Sequence, residues 1–204
     1  MPKKMLTFLF ASIALTLSPG PDILYVLTQS ISNGKKYGIA TAAGLVTGIL
    51  VHTTLIALGI SALIKQSEWV FMFIKVLGAC YLLWIAFQVY KAPTSIAVSK
   101  EVSTQKSLFS LFKQGFVMNV LNPKVTLFFL AFFPGFIVES LGNVTQQIYL
   151  LGFVFMLQAF VIFSLVSIIA DRLTVFIRSN QSFAVFLKWL QILVFVGIAV
   201  LILM

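Results

Sequence analysis

The sequence predicts an all-α, polytopic membrane protein of six transmembrane helices in an inverted 3+3 repeat, with the first and fourth helices broken. Three observations carry that prediction. Of 204 residues, 60% are hydrophobic and only 9% are charged, where a water-soluble domain carries about a quarter charged residues. The apolar residues come in charge-free runs of the length a bilayer demands, about 20 residues for a hydrocarbon core of roughly 30 Å. The runs divide three and three about one polar connector, Lys91 to Ser107. A mean hydropathy of +1.08 excludes intrinsic disorder and argues against a soluble enzyme, which has nowhere to hide so much apolar surface. The net charge of +9 would suit a nucleic-acid binder only if the cations shared a wetted face. Here they stand in short patches between apolar runs, so no nucleic-acid partner is expected. Cys80 is alone, which excludes an intramolecular disulfide.

The first run, Met5 to about Asn33, is longer than a plain span and is interrupted by Ser18-Pro19-Gly20-Pro21-Asp22. Lys3 and Lys4 ahead of Met5–Leu17 resemble a secretory signal, but no A-x-A site follows and prolines stand where cleavage would fall, so a retained span is expected. The second run, Gly38 to Ile64, carries Gly44 and Gly48 as a small-xxx-small pair for close helix packing and His52 near its middle. The third, Trp69 to Tyr90, carries Lys75. The fourth, Leu108 to Val138, is again long and is broken at Leu121-Asn122-Pro123-Lys124. The fifth, Gln147 to Ala170, is free of charge, and the sixth is Ser182 to Met204. These make one transmembrane domain, 1–204, with half-repeats at about 5–90 and 108–204 and a cytoplasmic connector at about 91–107. With six crossings, Lys35, Lys36, Lys91, Lys100, Lys106, Lys113, Arg172 and Arg178 fall on one side, against Lys3, Lys4 and Lys65 on the other. The first side is then cytoplasmic, and both termini lie outside.

Three spans per half force the halves into opposite orientations, a design that many transporters share. Both interruptions fall in the opening span of their half, about fourteen residues in, or roughly 21 Å at helical rise. Proline ends or kinks a helix because it lacks an N–H and clashes with the preceding turn. It also suits the first position of a new helix, after a Ser or Asn cap. Asn122-Pro123 fits that pattern; Ser18-Pro19 repeats it, and Gly20-Pro21 offers the same restart two residues later. Two half-helix N-termini at mid-membrane, each with partial positive charge and unpaired N–H groups, suit an anionic group such as a carboxylate. Prolines that merely kink packed helices are the plainer alternative; two breaks at matched places, one with an intramembrane Asp, favour a site.

These residues resemble the LysE/RhtB family of amino-acid exporters. Ser18-Pro19-Gly20-Pro21-Asp22 is similar to the family's opening motif. Gly34-Lys35-Lys36-Tyr37-Gly38 followed by Gly44, Gly48 and His52 is similar to its next block. Lys75, Gly78, Tyr81 and Leu82 resemble its third-span pattern, and Gly115, Asn119, Leu121, Asn122, Pro123, Lys124 and Phe128 its fourth-span motif. One departure is Pro134-Gly135-Phe136, where family members often carry Gln between Pro and Phe. The resemblance implies export of an amino acid or related small zwitterion across a bacterial cytoplasmic membrane, in exchange for protons.

Asp22 is the only carboxylate inside a span, and an ionised Asp at mid-bilayer is costly enough to face a cavity or a partner. It suits a substrate ammonium or a proton. Lys124 follows Pro123 as Asp22 follows Pro21, so an Asp22–Lys124 pair is open, as is a lysine that snorkels along its helix. Asn122 reads as the cap, while Asn119, three residues earlier on the same face, offers an amide to substrate or an interhelical bond. His52 reads as a satisfied core histidine or a proton relay, and Lys75 as an outward lysine or a vestibule residue. The candidate substrate and proton site is therefore Ser18, Pro19, Gly20, Pro21, Asp22, Asn119, Asn122, Pro123 and Lys124, with His52 and Lys75 at its margins. No ligand set for a metal and no phosphate loop for ATP occurs in the chain, so no cofactor, metal or enzymatic role is expected. Export of another small solute or cation, or a non-transporting scaffold, are the alternative functions. A scaffold has no need of a buried Asp at a broken helix. The expected partners are a small-molecule amino-acid substrate, protons and the lipid bilayer, and a homo-oligomer stays open.

Overall fold

The computed structural model describes residues 2–18, 20–66, 68–92, 106–170, 172, 175–176 and 181–203. Pro19, most of the connector, and the cation positions Lys100 and Arg178 lie outside the described residues. The described chain is helical. The helices are α1 (Pro2–Leu17), α2 (Pro21–Asn33), α3 (Lys35–Gln66), α4 (Glu68–Lys91), α5 (Leu108–Val120), α6 (Pro123–Leu127), α7 (Val144–Ile168) and α8 (Gln181–Leu203). A wide π turn, Phe128–Phe132, and a tight 3-10 turn, Phe133–Phe136, prolong α6.

Three helices are long and apolar enough to cross a membrane on their own: Lys35–Gly59 within α3, Val144–Ile168, and Ser182–Leu203 within α8. Two bent pairs raise the number to five if each is one span. Lys4–Leu17 and Pro21–Asn33 meet at 55°, and Leu108–Val120 and Pro123–Phe136 meet at 47°. The six-crossing count needs the 24-residue helix α4 as well. Both long runs thus break where the sequence places proline.

Local chemistry sets the boundaries. Gly34 (φ 98°) and Gly142 (φ 96°) take backbone conformations that side-chain-bearing residues rarely adopt, and each makes the turn ahead of a long helix. Ser107 caps α5 by accepting the Ser110 N–H at 3.2 Å, and Asn143 caps α7 by accepting the Gln146 N–H at 3.2 Å.

Helix α3 is the centre of the bundle and packs between α5 and α7. On the α5 side a Cβ at Gly44 would strike the Phe112 carbonyl, and one at Gly115 would strike the Thr41 carbonyl, so the two backbones touch directly. On the α7 side Gly152 lies against Thr53, and Gly38 lies over the hydroxyls of Ser30 and Ser167. Helix α4 pairs with α8 end to end: Tyr90 meets Trp189 edge-on at 6.1 Å, and Lys188 donates to the Ala92 carbonyl at 2.6 Å. Their outer faces show Trp69, Phe73 and Leu193, each more than 60% exposed. Apolar patches of that size belong against lipid. A cluster of aromatic rings, Phe8, Phe128, Phe129, Phe132, Phe133, Phe136 and Phe155, fills the interior beside the second break.

Candidate functional site

The two breaks meet. Ser18, Pro21, Asp22, Asn119, Asn122 and Lys124 line one cavity of about 20 Å³, closed in by Leu15, Thr16, Ile23, Ile49, Val125, Phe155, Ala159 and Phe163. That volume holds about one water molecule, too little for an amino acid.

At the second break the chain does what Asn-Pro predicts. The Asn122 carboxamide oxygen accepts the Lys124 N–H at 3.0 Å, Pro123 occupies the first helical position, and the new helix begins. At the first break the restart is the later of the two that the sequence offers. Gly20 is the N-cap, in extended conformation and with no side-chain cap, and Pro21 opens α2. The Ser18 hydroxyl does not cap it. Its N–H completes α1 by donating to the Ala14 carbonyl at 3.0 Å, and its Oγ is buried without a hydrogen-bond partner. Pro19, also expected at the site, lies outside the described residues.

Asp22 stands in the first turn of α2, where the helix dipole favours a negative charge. Its Oδ1 is buried and has no hydrogen-bond partner. The charged groups that act on it are Lys124 first and then His52, with the amides of Asn122 and Asn119 beside it. Lys124 does not donate to that oxygen. Its ammonium donates across the breaks to the Ser18 carbonyl at 3.1 Å and stands 5.7 Å from the centroid of the Phe195 ring. The ammonium also lies over Gly20, where a Cβ would stand 3.4 Å from the Lys124 Nζ, in ordinary contact. Lys124 is thus a strap between the halves rather than a lysine that snorkels outward.

Asn119 and Asn122 are 2% and 5% exposed. The Asn119 Oδ1 is a third buried acceptor at the cavity without a partner, after Ser18 Oγ and Asp22 Oδ1. Unpaired polar atoms are rare in buried protein, and three of them lie around this one small cavity. His52, 4% exposed, is hydrogen-bonded through Nε2 to the Asn119 carbonyl at 3.1 Å. Lys75 is apart from this group. With Lys4, Thr7, Ala131, Phe132, Gly135, Phe136, Leu201 and Ile202 it lines a second cavity of about 320 Å³.

Sequence reading missed one polar side chain bonded to Thr16 of the cavity wall. Gln158 of α7 donates to the Thr16 hydroxyl at 3.0 Å, which donates on to the Ser12 carbonyl at 2.8 Å, and the Gln158 carbonyl oxygen is buried and unpaired. An amide in the middle of an otherwise apolar span was the available signal. Tyr25, one turn beyond Asp22, also buries an unpaired hydroxyl.

Comparison with known proteins places the chain in a family. The model of the family described as "LysE type translocator" matches residues 13–204. A homoserine/homoserine lactone efflux protein of Salmonella typhimurium is 32% identical over 174 residues, which cover 85% of this chain and 84% of the relative. A leucine efflux protein of Klebsiella pneumoniae is 28% identical over 194 residues, covering 95% of this chain and 92% of the relative. No solved structure matches the chain.

Proposed function

The chain belongs to the LysE family of translocators, and from that premise we propose that it exports an amino acid or a related small zwitterion across the cytoplasmic membrane in exchange for protons. The observation that carries this reading is the meeting of two broken helices around one cavity with an acid, a base and three unpaired buried acceptors. A zwitterion offers an ammonium and a carboxylate a few ångströms apart, and the cavity offers the complements. The substrate ammonium takes Asp22 and the acceptors Ser18 Oγ and Asn119 Oδ1. The substrate carboxylate takes Lys124 and the helix restarts at Pro21 and Pro123.

In the shut state Lys124 stands in for the substrate: its ammonium holds the Ser18 carbonyl that an entering ammonium would otherwise meet. Admitting an amino acid means letting go of that strap, which frees the halves to part. A proton on Asp22 then cancels the attraction for the ammonium and releases the cargo. Six crossings in an inverted 3+3 arrangement suit this cycle. Part of the packing supports it: exchanging the halves turns the α3–α5 contact into the contact of α7 with α1 and α2, and returns the α3–α7 and α4–α8 contacts to themselves, whereas the α2–α3 contact has no comparable counterpart between α6 and α7. Both termini then lie outside, and the 320 Å³ cavity with Lys4 and Lys75 is the outer vestibule.

The test is counterflow in proteoliposomes with a panel that includes homoserine, homoserine lactone and leucine, run with and without a pH gradient. Saturable exchange that a pH gradient accelerates is the expected result. Exchange indifferent to pH removes the protons and keeps the carrier. No exchange of any amino acid returns the chain to another solute.

A further inference from the structure

Pro123 leaves a gap in its helix besides its own missing hydrogen bond. The carbonyl four residues earlier, that of Asn119, loses the N–H a continuous helix would give it. Asn119 is 2% exposed, so bulk water does not take the vacancy. The Asn122 N–H reaches this carbonyl at 3.0 Å in a tightened last turn. The second donor comes from another helix, His52 Nε2 of α3 at 3.1 Å. A carbonyl only accepts, so Nε2 carries the proton and donates it.

The delivery of that donor is built into α3. Gly44, Gly48 and His52 recur every four residues and form one stripe that faces α5. Gly44 brings the backbone of α3 onto that of α5 at Phe112. Gly48 lies against the Asn119 side chain, where a Cβ would come within 2.7 Å of its Oδ1. One turn on, where α5 ends, the stripe carries a side chain with an N–H instead of a glycine. The imidazole ring is held 5.6 Å from the Phe129 ring at 31°. The residue it grips by the backbone presents its side-chain oxygen, unpaired, to the cavity.

We infer that His52 is a positioning residue for transport: its Nε2–H fixes the Asn119 peptide at the break, and through it the Asn119 amide and the Asn122 cap. This rests on the reading of the two breaks as the transport site. The role differs from proton relay, because the ring nitrogen turned toward the site is committed to a carbonyl, and a carbonyl passes no proton onward. The charged group acting on the ring is Asp22, and in this proposal proton exchange is left to that carboxylate.

Two variants separate the roles. His52→Gln keeps an N–H donor of similar reach and abolishes titration; His52→Leu keeps bulk and removes the donor. Counterflow of leucine and homoserine is measured for both across about pH 5 to 8, the range in which imidazole titrates. Hydrogen exchange is measured over residues 117–127 of the same reconstituted proteins. The expected result is that His52→Gln retains the wild-type pH profile, while His52→Leu raises KM and lowers kcat/KM by about 10- to 100-fold and exchanges faster over the break. A His52→Gln protein whose pH dependence is gone overturns the proposal in favour of a relay. A His52→Leu protein with wild-type exchange over 117–127 overturns it as well, whatever the transport result. That second arm also decides the matter if the wild type carries none of the amino acids offered, since hydrogen exchange at the break needs no substrate.

Discussion

Replacing Asp22 with Asn removes one negative charge and keeps the side-chain shape. Asp22 Oδ1 has no hydrogen-bond partner, the amides of Asn122 and Asn119 act on the carboxylate, and an Asn there keeps one oxygen that accepts from them. The cost to the fold is electrostatic and falls on Lys124, which loses the carboxylate acting on it. A lysine at mid-membrane without a counter-charge costs about 2.5–3.5 kcal/mol on insertion scales. Lys124 keeps its bond to the Ser18 carbonyl at 3.1 Å and its place by the Phe195 ring at 5.7 Å, which together offset about 1–3 kcal/mol. The net loss of stability is about 1 kcal/mol, a fall in Tm of about 2–4 °C for a chain of this size. The cost to transport is much larger. An ammonium deprived of its buried carboxylate loses about 2–5 kcal/mol, or a factor of roughly 30 to several thousand in binding. Counterflow of homoserine and leucine at matched reconstitution, with melting in detergent alongside, reads both numbers. An Asp22→Asn protein that carries substrate within about threefold of wild type refutes the reasoning. So does one that loses transport only because it has unfolded.

Three further outcomes follow from the packing. Gly48→Ala forces a Cβ to within 2.7 Å of Asn119 Oδ1 and should cost about 1–3 kcal/mol by overpacking; Gly59→Ala, where nothing lies within 4 Å, should be neutral or gain about 0.5–1 kcal/mol from helix propensity, and paired melting curves check both. Asn122→Ala loses the 3.0 Å cap bond to the Lys124 N–H and should lower stability by about 1 kcal/mol, with Asn122→Asp or Asn122→Ser restoring most of it. Gly135→Phe places a ring in the 320 Å³ cavity, where a Cβ meets nothing within 4 Å; the fold should hold, and the rate of counterflow should fall with KM nearly unchanged if that cavity is the way out.

Where the chain turns and breaks was legible because proline and glycine act locally. Pro21 and Pro123 start helices whatever surrounds them, and the Gly44–Gly48 spacing marks a close helix contact before any partner is known. The choice of Gly20-Pro21 over Ser18-Pro19 as the first restart was not legible, since both dipeptides satisfy the same local rule. The partners were hidden for a related reason. Nothing in the run of residues says that Lys124 reaches Ser18, 106 positions away, or that His52 supplies the donor Pro123 withholds. Such bonds depend on which faces of the helices meet, and a span apolar on nearly every side carries little amphipathic signal to fix that. Gln158 was overlooked because one amide within an apolar span has no motif around it.

The aromatic cluster has an electrical consequence. Phe155 lines the 20 Å³ cavity and Phe132 the 320 Å³ one, and Phe128 joins them with ring centroids 5.4 Å and 5.0 Å apart. Protons travel through proteins by hopping along chains of oxygen and nitrogen, and a wall of benzene rings contains neither. Water does not thread a seam packed that tightly with apolar rings. A carrier in an energised membrane would discharge it if a wet path joined the two faces while the carrier stood idle. In the carrier proposed above, the phenylalanine seam offers protons no oxygen or nitrogen to hop along between the two cavities.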